Sequence, residues 1–426
     1  MQLKSDQKLI YSAAFLRSLG VGLTGVVLGI SLFRAGFSAS RIGVVVAVGL
    51  AGAALATLLV SLYADRVGRR TALLILSLLG ALGGLGLALR SDISSILLFA
   101  FLGMVNGMGR DRGAAFALDQ AMLAETVPAE RRTWSLAWYN LILDAGHALG
   151  ALAGALPFLF RRWLGVELLS SYQLTFGFYV ALNLLSAVFY LCLSPHIEKA
   201  RLAIPLGSSA GISPQSKKIV AKLAALFGLD SLGGGFLTGA LVAYWFLRRF
   251  GVSEESLGPL FFVVRLLNAG SHLTAAWLAR RIGLVNTMVF THIPSSLFLI
   301  AVPFAPSLTW AVGLFLAREC LVEMDVPTRQ SYVMAVVEPE ERTFSSGITN
   351  LTRNVAWAAA PSFAGYFMQH VALAAPLFLG GGIKITYDLL LYLAFRRLKP
   401  PEERTAAGGN TPIDRPEEIR ERTELK

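Results

Sequence analysis

Long apolar runs separated by short polar breaks occupy most of this 426-residue chain. A helix that crosses a hydrocarbon core of roughly 30 Å needs about 20 apolar residues. Hydrophobic residues make up 55% of the chain and charged residues 15%, whereas an ordinary globular protein is about 25% charged. The pattern excludes a soluble enzyme, a disordered chain and a disulfide-stapled secreted domain, and it predicts an all-α membrane protein with twelve transmembrane helices. The predicted spans are 10–34, 40–63, 71–90, 94–125, 133–160, 173–194, 219–247, 255–279, 284–304, 307–337, 343–369 and 373–395.

The distribution of basic residues predicts the orientation of these spans. Lys and Arg accumulate in cytoplasmic loops. If both termini are cytoplasmic, the inside segments hold 23 Lys and Arg and the outside loops hold seven. The net charge of +11 therefore indicates topology rather than nucleic-acid binding. We expect a multi-pass protein of the cell membrane, surrounded by lipid, with both termini in the cytoplasm.

Three pairs of polar segments recur along the chain at offsets of 210–215 residues. The pairs are FLRSLGVGLTG with GLDSLGGGFLTG, ADRVGRR with ARRIGL, and VPAERRTWSLAWYN with VEPEERTFSSGITN. Matches between polar residues are hard to obtain by chance in apolar sequence, so they predict two six-helix repeats. We expect an N-terminal bundle at 1–194, a cytoplasmic linker at 195–218, a C-terminal bundle at 219–395 and a disordered cytoplasmic tail at 396–426.

The loop between the second and third spans reads SLYADRVGRRTAL. It resembles the cytoplasmic signature G-x-x-x-D-R-x-G-R-[RK] of the major facilitator superfamily, with Ser61 in place of the first glycine. The resemblance implies two pseudo-symmetric bundles that rock against each other, as in secondary transporters with alternating access. It also implies that Asp65 and Arg69 belong to a cytoplasmic gate, although these charges can also serve topology alone. The matching residues are Asp65, Arg66, Gly68, Arg69 and Arg70.

A second signature, typical of drug exporters of this superfamily, does not transfer to span 4. Gly107 stands where an arginine is expected, and Asp111 stands where a glycine is expected. The sequence therefore does not favour a standard proton/drug exporter.

Ionisable residues within the spans are the candidates for a substrate and ion cavity. Each costs at least about 2.5–3.5 kcal/mol at mid-bilayer, so it is usually paired or faces water. Most lie on spans 1, 4, 7 and 10, which line the central cavity in the family fold, and polar groups at helical spacing follow spans 5 and 8. We expect some of them to form structural pairs between helices instead of binding substrate. The candidates are Arg17, Arg112, Asp119, Asn140, Asp144, His147, Asp230, Arg265, Glu323 and Arg329.

Arg17 and Asp230 occupy equivalent positions in the two repeats with opposite charge. We expect a bridge between the halves that forms in one state, the alternative being that each residue pairs within its own half. His292 and the Lys384–Asp388 pair lie on spans expected outside the cavity, which favours packing or interfacial roles.

These observations predict proton-coupled efflux of a small polar or charged organic solute by a monomer. A cavity carboxylate such as Asp119, Asp144 or Glu323 would carry the proton. The first alternative is uptake of an organic anion or metabolite through Arg112, Arg265 and Arg329. A non-transporting receptor and a lipid scramblase on the same fold are further alternatives. The sequence has no nucleophile elbow, P-loop or metal-ligand spacing, so we expect no enzyme activity, no cofactor and no metal.

Overall fold

The computed structural model describes residues 2–110, 113–126, 129–195, 214–326, 328, 329, 332 and 342–396. These residues form helices joined by short breaks, and no strand occurs among them. The helices are α1 (Gln2–Arg34), α2 (Ala39–Val67), α3 (Arg69–Leu89), α4 (Ile93–Gly103), α5 (Ala114–Thr126), α6 (Ala129–Ala153), α7 (Leu156–Leu164), α8 (Leu168–Leu191), α9 (Pro214–Gly235), α10 (Gly239–Phe250), α11 (Glu254–Ile282), α12 (Leu284–Ala301), α13 (Leu308–Val322), α14 (Arg342–His370) and α15 (Ala375–Phe395).

The predicted membrane fold is confirmed. In the described part of the chain, seven helical stretches are long and apolar enough to cross a membrane. An eighth is the pair α6 and α7, which is bent by 43°. Of the other four predicted spans, 94–125, 255–279 and 343–369 coincide with α4 and α5, α11, and α14, and the first half of 307–337 coincides with α13. These four are interrupted or carry several polar residues, because they line the cavity described below.

Three predicted spans are interrupted by short breaks. Span 94–125 separates into α4 and α5, span 133–160 into α6 and α7, and span 219–247 into α9 and α10. Non-helical backbone at membrane depth is tolerated where it lines a cavity or is buried in protein.

The internal repeat is visible in the residues that cap the helices. Gly68 and Gly283, 215 positions apart, each end one helix and begin the next, with φ of 101° and 88°. Asp92 and Ser307, at the same offset, each cap the N-terminus of the following helix with a side-chain oxygen. The repeat therefore extends to local backbone geometry. We use "N-terminal half" for residues 2–195 and "C-terminal half" for 214–396; most of the predicted linker and tail lies outside the described residues.

Large apolar side chains cover the outside of the molecule. Leu78 on α3 is 52% exposed and Leu184 on α8 is 45% exposed, and many similar residues surround them. An exposed apolar surface of this extent marks contact with lipid or another apolar partner. Hydrocarbon is the environment that this surface fits.

The two halves meet closely at one end of the molecule, where α1 ends and α2 begins. A Cβ on Gly29 would lie 2.2 Å from the Ala240 carbonyl oxygen, and a Cβ on Gly43 would lie 2.3 Å from that of Pro361. A Cβ on Gly365 would lie 2.4 Å from the Ala39 carbonyl oxygen. We call these contacts of Gly29, Ala39, Gly43, Ala240, Pro361 and Gly365 the outer seal, since the predicted orientation places them on the external side.

Candidate functional site: a charged cavity between the halves

Two adjoining cavities lie between the halves, below the outer seal. Cavity 1 has a volume of about 120 Å³ and is lined mainly by the N-terminal half. Cavity 2 has a volume of about 130 Å³ and is lined mainly by the C-terminal half. Met108, Arg110 and Trp357 line both. The two cavities therefore form one candidate site, with Arg110 and Trp357 at the junction.

The break in span 4 brings Arg110 to this junction. Met104 adopts the left-handed conformation with φ of 56°, and Gly107 and Gly109 also have positive φ. The Asn106 side chain accepts a hydrogen bond from the Met108 N–H at 2.9 Å and donates one to the Met104 carbonyl at 3.0 Å. Backbone groups removed from water need hydrogen-bond partners, and the Asn106 side chain is the partner of two of them, the Met108 N–H and the Met104 carbonyl.

The break in span 4 also contacts the break in span 7. The Ala240 N–H donates to the Gly107 carbonyl at 2.9 Å. The first turn of a helix has N–H groups without partners inside that helix, and Ala240 is in the first turn of α10. Backbone groups at the two breaks therefore hydrogen-bond to each other across the interface between the halves.

In the N-terminal half, Arg17, Tyr139 and Tyr190 contact a buried carboxylate. Asp119 is 0% exposed, and Arg17 contacts it at 2.9 Å. The hydroxyls of Tyr139 and Tyr190 donate to Asp119 at 3.0 and 3.2 Å. Arg17 also donates to both tyrosine hydroxyls. The charge on Asp119 is thus balanced by one arginine and stabilised by two phenols.

A second group connects the halves at the centre. Arg110 contacts the Glu323 carboxylate at 2.5 Å and donates to the Asn268 side chain. Asn268 in turn donates to the Glu319 carboxylate at 2.8 Å, and Glu319 pairs with Arg318. Arg110 is the described residue through which the N-terminal half binds these acids and amides. Arg265 lines cavity 2 beside them.

The C-terminal half contains a third group around Asp230. Lys384 contacts one Asp230 oxygen at 2.8 Å, and Arg329 contacts the other at 3.0 Å. Arg329 also contacts Asp325 at 2.6 Å. Ligand atoms of Asp230, His292 and Asp325 lie within 4.8 Å of one another, a spacing that a metal ion could bridge. Because Lys384 and Arg329 already neutralise these carboxylates, we interpret the group as an ion-pair network.

The expected bridge between Arg17 and Asp230 is not formed in this structure. Arg17 pairs with Asp119, and Asp230 pairs with Arg329 and Lys384. Each residue thus has partners within its own half, which is the alternative stated above. Lys384 on α15 and Arg329 in the segment after α13 already balance the charge of Asp230.

Three residues expected outside the cavity belong to the third group. His292 and Asp388 are 1% and 0% exposed, and the His292 Nδ1 lies 3.0 Å from Asp388. Lys384 lines cavity 2. The burial of His292 and Asp388 agrees with the packing role, one of the two that were expected, whereas a position away from the cavity is wrong for Lys384. The helix rotation that points Lys384 inward is set by packing against α9 and α12, which spacing alone does not reveal.

The polar stripe on span 5 does not line either cavity. Asn140 is exposed, and the Asp144 side chain is 43% exposed at 4.0 Å from His147. His147 is buried at 4% exposure where α6 packs on α1. A Cβ on Gly22 would lie 2.3 Å from the His147 carbonyl oxygen, so the backbones of α1 and α6 pack directly against each other there. Arg112, a further candidate, lies outside the described residues.

Comparison with known proteins identifies the family. A model of the Major Facilitator Superfamily matches residues 10–361, and a second match covers 223–423. The chain belongs to this superfamily. An uncharacterised membrane protein of Saccharomyces cerevisiae, YJR124C, is 28% identical over 420 residues, which cover 92% of this chain and 94% of that protein. A putative metabolite transport protein of Bacillus subtilis, YncC, is 36% identical over 114 residues, 27% of this chain and 23% of the relative.

Solved structures of similar fold are also facilitator-superfamily transporters. A nucleoside transporter, NupG, has a TM-score of 0.72 at 14% identity and covers 92% of this chain and 100% of its own. A D-xylose–proton symporter has a TM-score of 0.73 at 15% identity, covering 92% and 98%. The human organic anion transporter MFSD10 has a TM-score of 0.63 at 18% identity, covering 92% and 100%. At these identities the likeness concerns the fold alone. The family and the fold are those of a transporter rather than an enzyme.

The superfamily loop motif lies at the junction of α2 and α3. Gly68 ends α2 with its N–H bonded to the Ala64 carbonyl. Arg66 is exposed, and Arg70 donates to the Leu191 carbonyl at the end of α8. A cation at a helix C-terminus is favourable because the last carbonyl groups carry partial negative charge. The side chain of Asp65 lies outside the described part, so the gating role of the motif stays a prediction.

Sequence reasoning missed several members of this superfamily site. Arg110 was one of several charges on span 4, and nothing in its spacing singled it out. Asn268 belongs to the polar stripe that helical spacing indicates on span 8, whereas Trp357 is uncharged and carried no signal. Lys384 had one usable signal, because its spacing of four residues from Asp388 on an apolar span already indicated a pair that needs burial.

Proposed function

We propose that this protein is a secondary active transporter that works by alternating access and exports a small polar or charged organic solute in exchange for protons. The observation that carries the proposal is a charge-lined cavity between two repeated halves that is sealed at one end by direct helix contact. While the outer seal is closed, a solute in this cavity would reach only the side of the membrane away from the seal. Separation of the outer seal would expose the solute to the sealed side. The narrow, glycine-based form of the seal favours rocking of rigid halves over the opening of a loop.

A second candidate is uptake of an organic anion. Of the described residues that line the two cavities, more are basic than acidic. Carboxylates and phosphates are bound well by arginine, which can donate two parallel hydrogen bonds. The basic residues are Arg17, Arg110, Arg265, Arg318, Arg329, Arg353 and Lys384, and the acidic ones are Asp230, Glu319, Glu323 and Asp325.

The experiment is flux in proteoliposomes with a reversible lock. The Ser40 N–H lies 3.1 Å from the Gln369 side-chain oxygen across the seal. Ser40→Cys with Gln369→Cys, in a background with Cys192→Ser and Cys320→Ser, can be joined there by a short, reducible thiol cross-linker. Labelled uridine, D-xylose and succinate serve as probes under pH gradients of either sign.

We expect a probe to move in the direction opposite to proton flow. Cross-linking should stop this flux, and reduction of the cross-linker should restore it in the same vesicles. The direction of the pH gradient that drives movement of the probe distinguishes export from uptake. Flux of no probe, with intact folding, would favour the receptor, and movement of fluorescent phospholipid between leaflets would favour the scramblase. Flux that continues in the cross-linked protein would contradict alternating access.

A further inference from the structure

The group around Asp230 differs from the other two buried groups in the partner of one carboxylate. Asp119 and Glu323 each contact one arginine, Arg17 and Arg110. In the group of the C-terminal half, which we call the His292 cluster, Asp230 and Asp325 contact permanently charged cations, whereas the described partner of Asp388 is the His292 ring. The members of the cluster are Asp230, His292, Asp325, Arg329, Lys384 and Asp388.

Burial makes the partner of each charge in the cluster important. Every member of the His292 cluster is at most 6% exposed. An uncompensated charge in such surroundings is strongly unfavourable unless it binds a counter-charge or a proton. Arg353 lines the same cavity, where it contacts the Ser231 hydroxyl at 3.0 Å and the face of Trp357, and its positive charge also acts on Asp230. A proton bound at His292 would give Asp388 a cationic partner in direct contact.

The hydrogen bonds around His292 show where that proton can bind. The His292 Nδ1 lies 3.0 Å from both Asp388 oxygens. An ionised carboxylate can only accept, so Nδ1 carries a hydrogen. The His292 Nε2 lies 3.2 Å from the Lys384 Nζ, and an ammonium group can only donate. Nε2 is therefore an acceptor, and the imidazole in this geometry is neutral.

A proton on Nε2 would change the partner of Lys384. Protonated Nε2 becomes a donor and faces the Lys384 ammonium, so the hydrogen bond between them breaks. Nε2 also lies 3.9 Å from the Asp230 oxygen that Lys384 contacts at 2.8 Å. The imidazolium would then compete with Lys384 for Asp230. Because Lys384 lines cavity 2, the competition takes place in the cavity wall.

Groups on three other elements face His292. Asp230 approaches from α9, and Asp325 and Arg329 approach from the segment after α13. Tyr387 on α15 places its ring 6.0 Å from the imidazole, beside Lys384 and Asp388 of the same helix. Among these cations, Lys384 is the one that contacts Nε2 directly, so its charge is the one that a proton on Nε2 opposes most closely.

We propose that the His292–Asp388 pair is a proton-binding site and that its occupancy decides whether Lys384 is held by His292 or displaced towards the cavity. The proposal deepens the proposed proton-coupled transport and rests on it. The proton comes from water in the cavity and adds to the Nε2 lone pair, while the Lys384 ammonium keeps its own hydrogens. The coupling group is then not Asp119, Asp144 or Glu323, the three acids expected from the sequence.

The first test reads the imidazole directly and needs no substrate. Purified full-length protein labelled with ¹⁵N-histidine has five histidine side chains, and the His292 signals are those lost in His292→Gln. We expect the neutral form with a hydrogen on Nδ1 at alkaline pH and the doubly protonated form at acid pH. Lys384→Met should shift the Nε2 resonance at alkaline pH, because it removes the donor to that nitrogen. A His292 that keeps one protonation state from pH 5 to 9 would overturn the proposal.

The second test measures coupling with the same probe panel. A gradient of one pH unit can sustain about a tenfold accumulation for one coupled proton. In Asp388→Asn and His292→Gln the accumulation ratio should fall to about one, since no proton energy is captured, while exchange of labelled for unlabelled probe continues. His370→Gln is the matched control, because His370 is an exposed histidine at the end of α14 that contacts Tyr366. It should accumulate the probe as the wild type does.

The experiments distinguish a failure of the proposed transport from a failure of the proposed proton site. If the wild type accumulates no probe under either gradient, the proposed proton-coupled transport fails, and the imidazole signals still decide the proton site. If the wild type and Asp388→Asn accumulate the probe equally, the proton is coupled elsewhere and the His292 assignment is wrong.

Discussion

Adding one methyl group at the outer seal should shift the transport cycle towards its outward-open state. In Gly43→Ala the new Cβ would lie 2.3 Å from the Pro361 carbonyl oxygen and 2.9 Å from the Gly365 Cα. Non-bonded heavy atoms prefer about 3.5–4.0 Å, so α2 and α14 must separate by about 1 Å. Two helix backbones cannot yield as a flexible side chain would.

The size of the effect follows from the cost of overpacking. Forcing an extra methyl group into close-packed structure typically costs about 1–3 kcal/mol. Each 1.4 kcal/mol is about a tenfold change in an equilibrium, so the sealed population should fall about 5-fold to 100-fold relative to the open one. The open state has no such contact and should be unaffected.

The assay is labelling of a cysteine that the seal protects. Val242 lines cavity 2 and is 6% exposed in the sealed structure. Val242→Cys, in the background without native cysteines, is treated with a membrane-impermeant maleimide from the side on which α1 ends. Labelling should be faster in Gly43→Ala by about the factor given above, 5-fold to 100-fold.

Gly177→Ala is the matched control. A Cβ on Gly177, in α8, would have nothing within 4 Å, and both changes raise helix propensity by about 1 kcal/mol. If Gly43→Ala and Gly177→Ala label at the same rate with equal stability, the glycine contacts do not hold the outer side closed.

Three further predictions concern charges. Asp65→Asn should reduce probe flux in proteoliposomes while leaving membrane insertion intact, because the loop motif is proposed to gate rather than to bind, and wild-type flux would refute this role. Arg161 pairs across the halves with Glu254, which is 1% exposed. Breaking a buried pair from one side can cost about 3–5 kcal/mol, so in thermal unfolding Arg161→Ala should be less stable than the double variant with Glu254→Ala. The exchange of Arg17→Asp with Asp230→Arg should not restore flux, because each residue pairs within its own half, and recovered flux would show a contact between them in another state.

Much of the fold could be predicted because it depends on local pattern. The length of each apolar run sets the helices, and recurring short motifs revealed the duplication that the caps at Gly68 and Gly283 display in three dimensions. The break in span 4 was missed because apolar composition continues through residues 103–108. Its glycines and Asn106 carried the signal, since positive φ and side-chain bonding to backbone are their ordinary uses.

The candidate site was predicted less well, for a physical reason. Which charges lie inside the membrane can be read from the chain, but their partners depend on how each helix is rotated about its axis. Asp230 illustrates this point. It was expected opposite Arg17 by symmetry, whereas the rotation of α15 brings Lys384 to it at 2.8 Å.

The outer seal also offers a way to find what the protein carries. Ser40 and Gln369 are in contact where the two helix ends touch, so a fluorophore on one and a quencher on the other should report any separation of the seal as a change in brightness. Any compound that binds one state better than the other would alter the mean signal by mass action. An optical screen of whole metabolite libraries could then precede any radiolabelling, with the helix contact itself as the sensor.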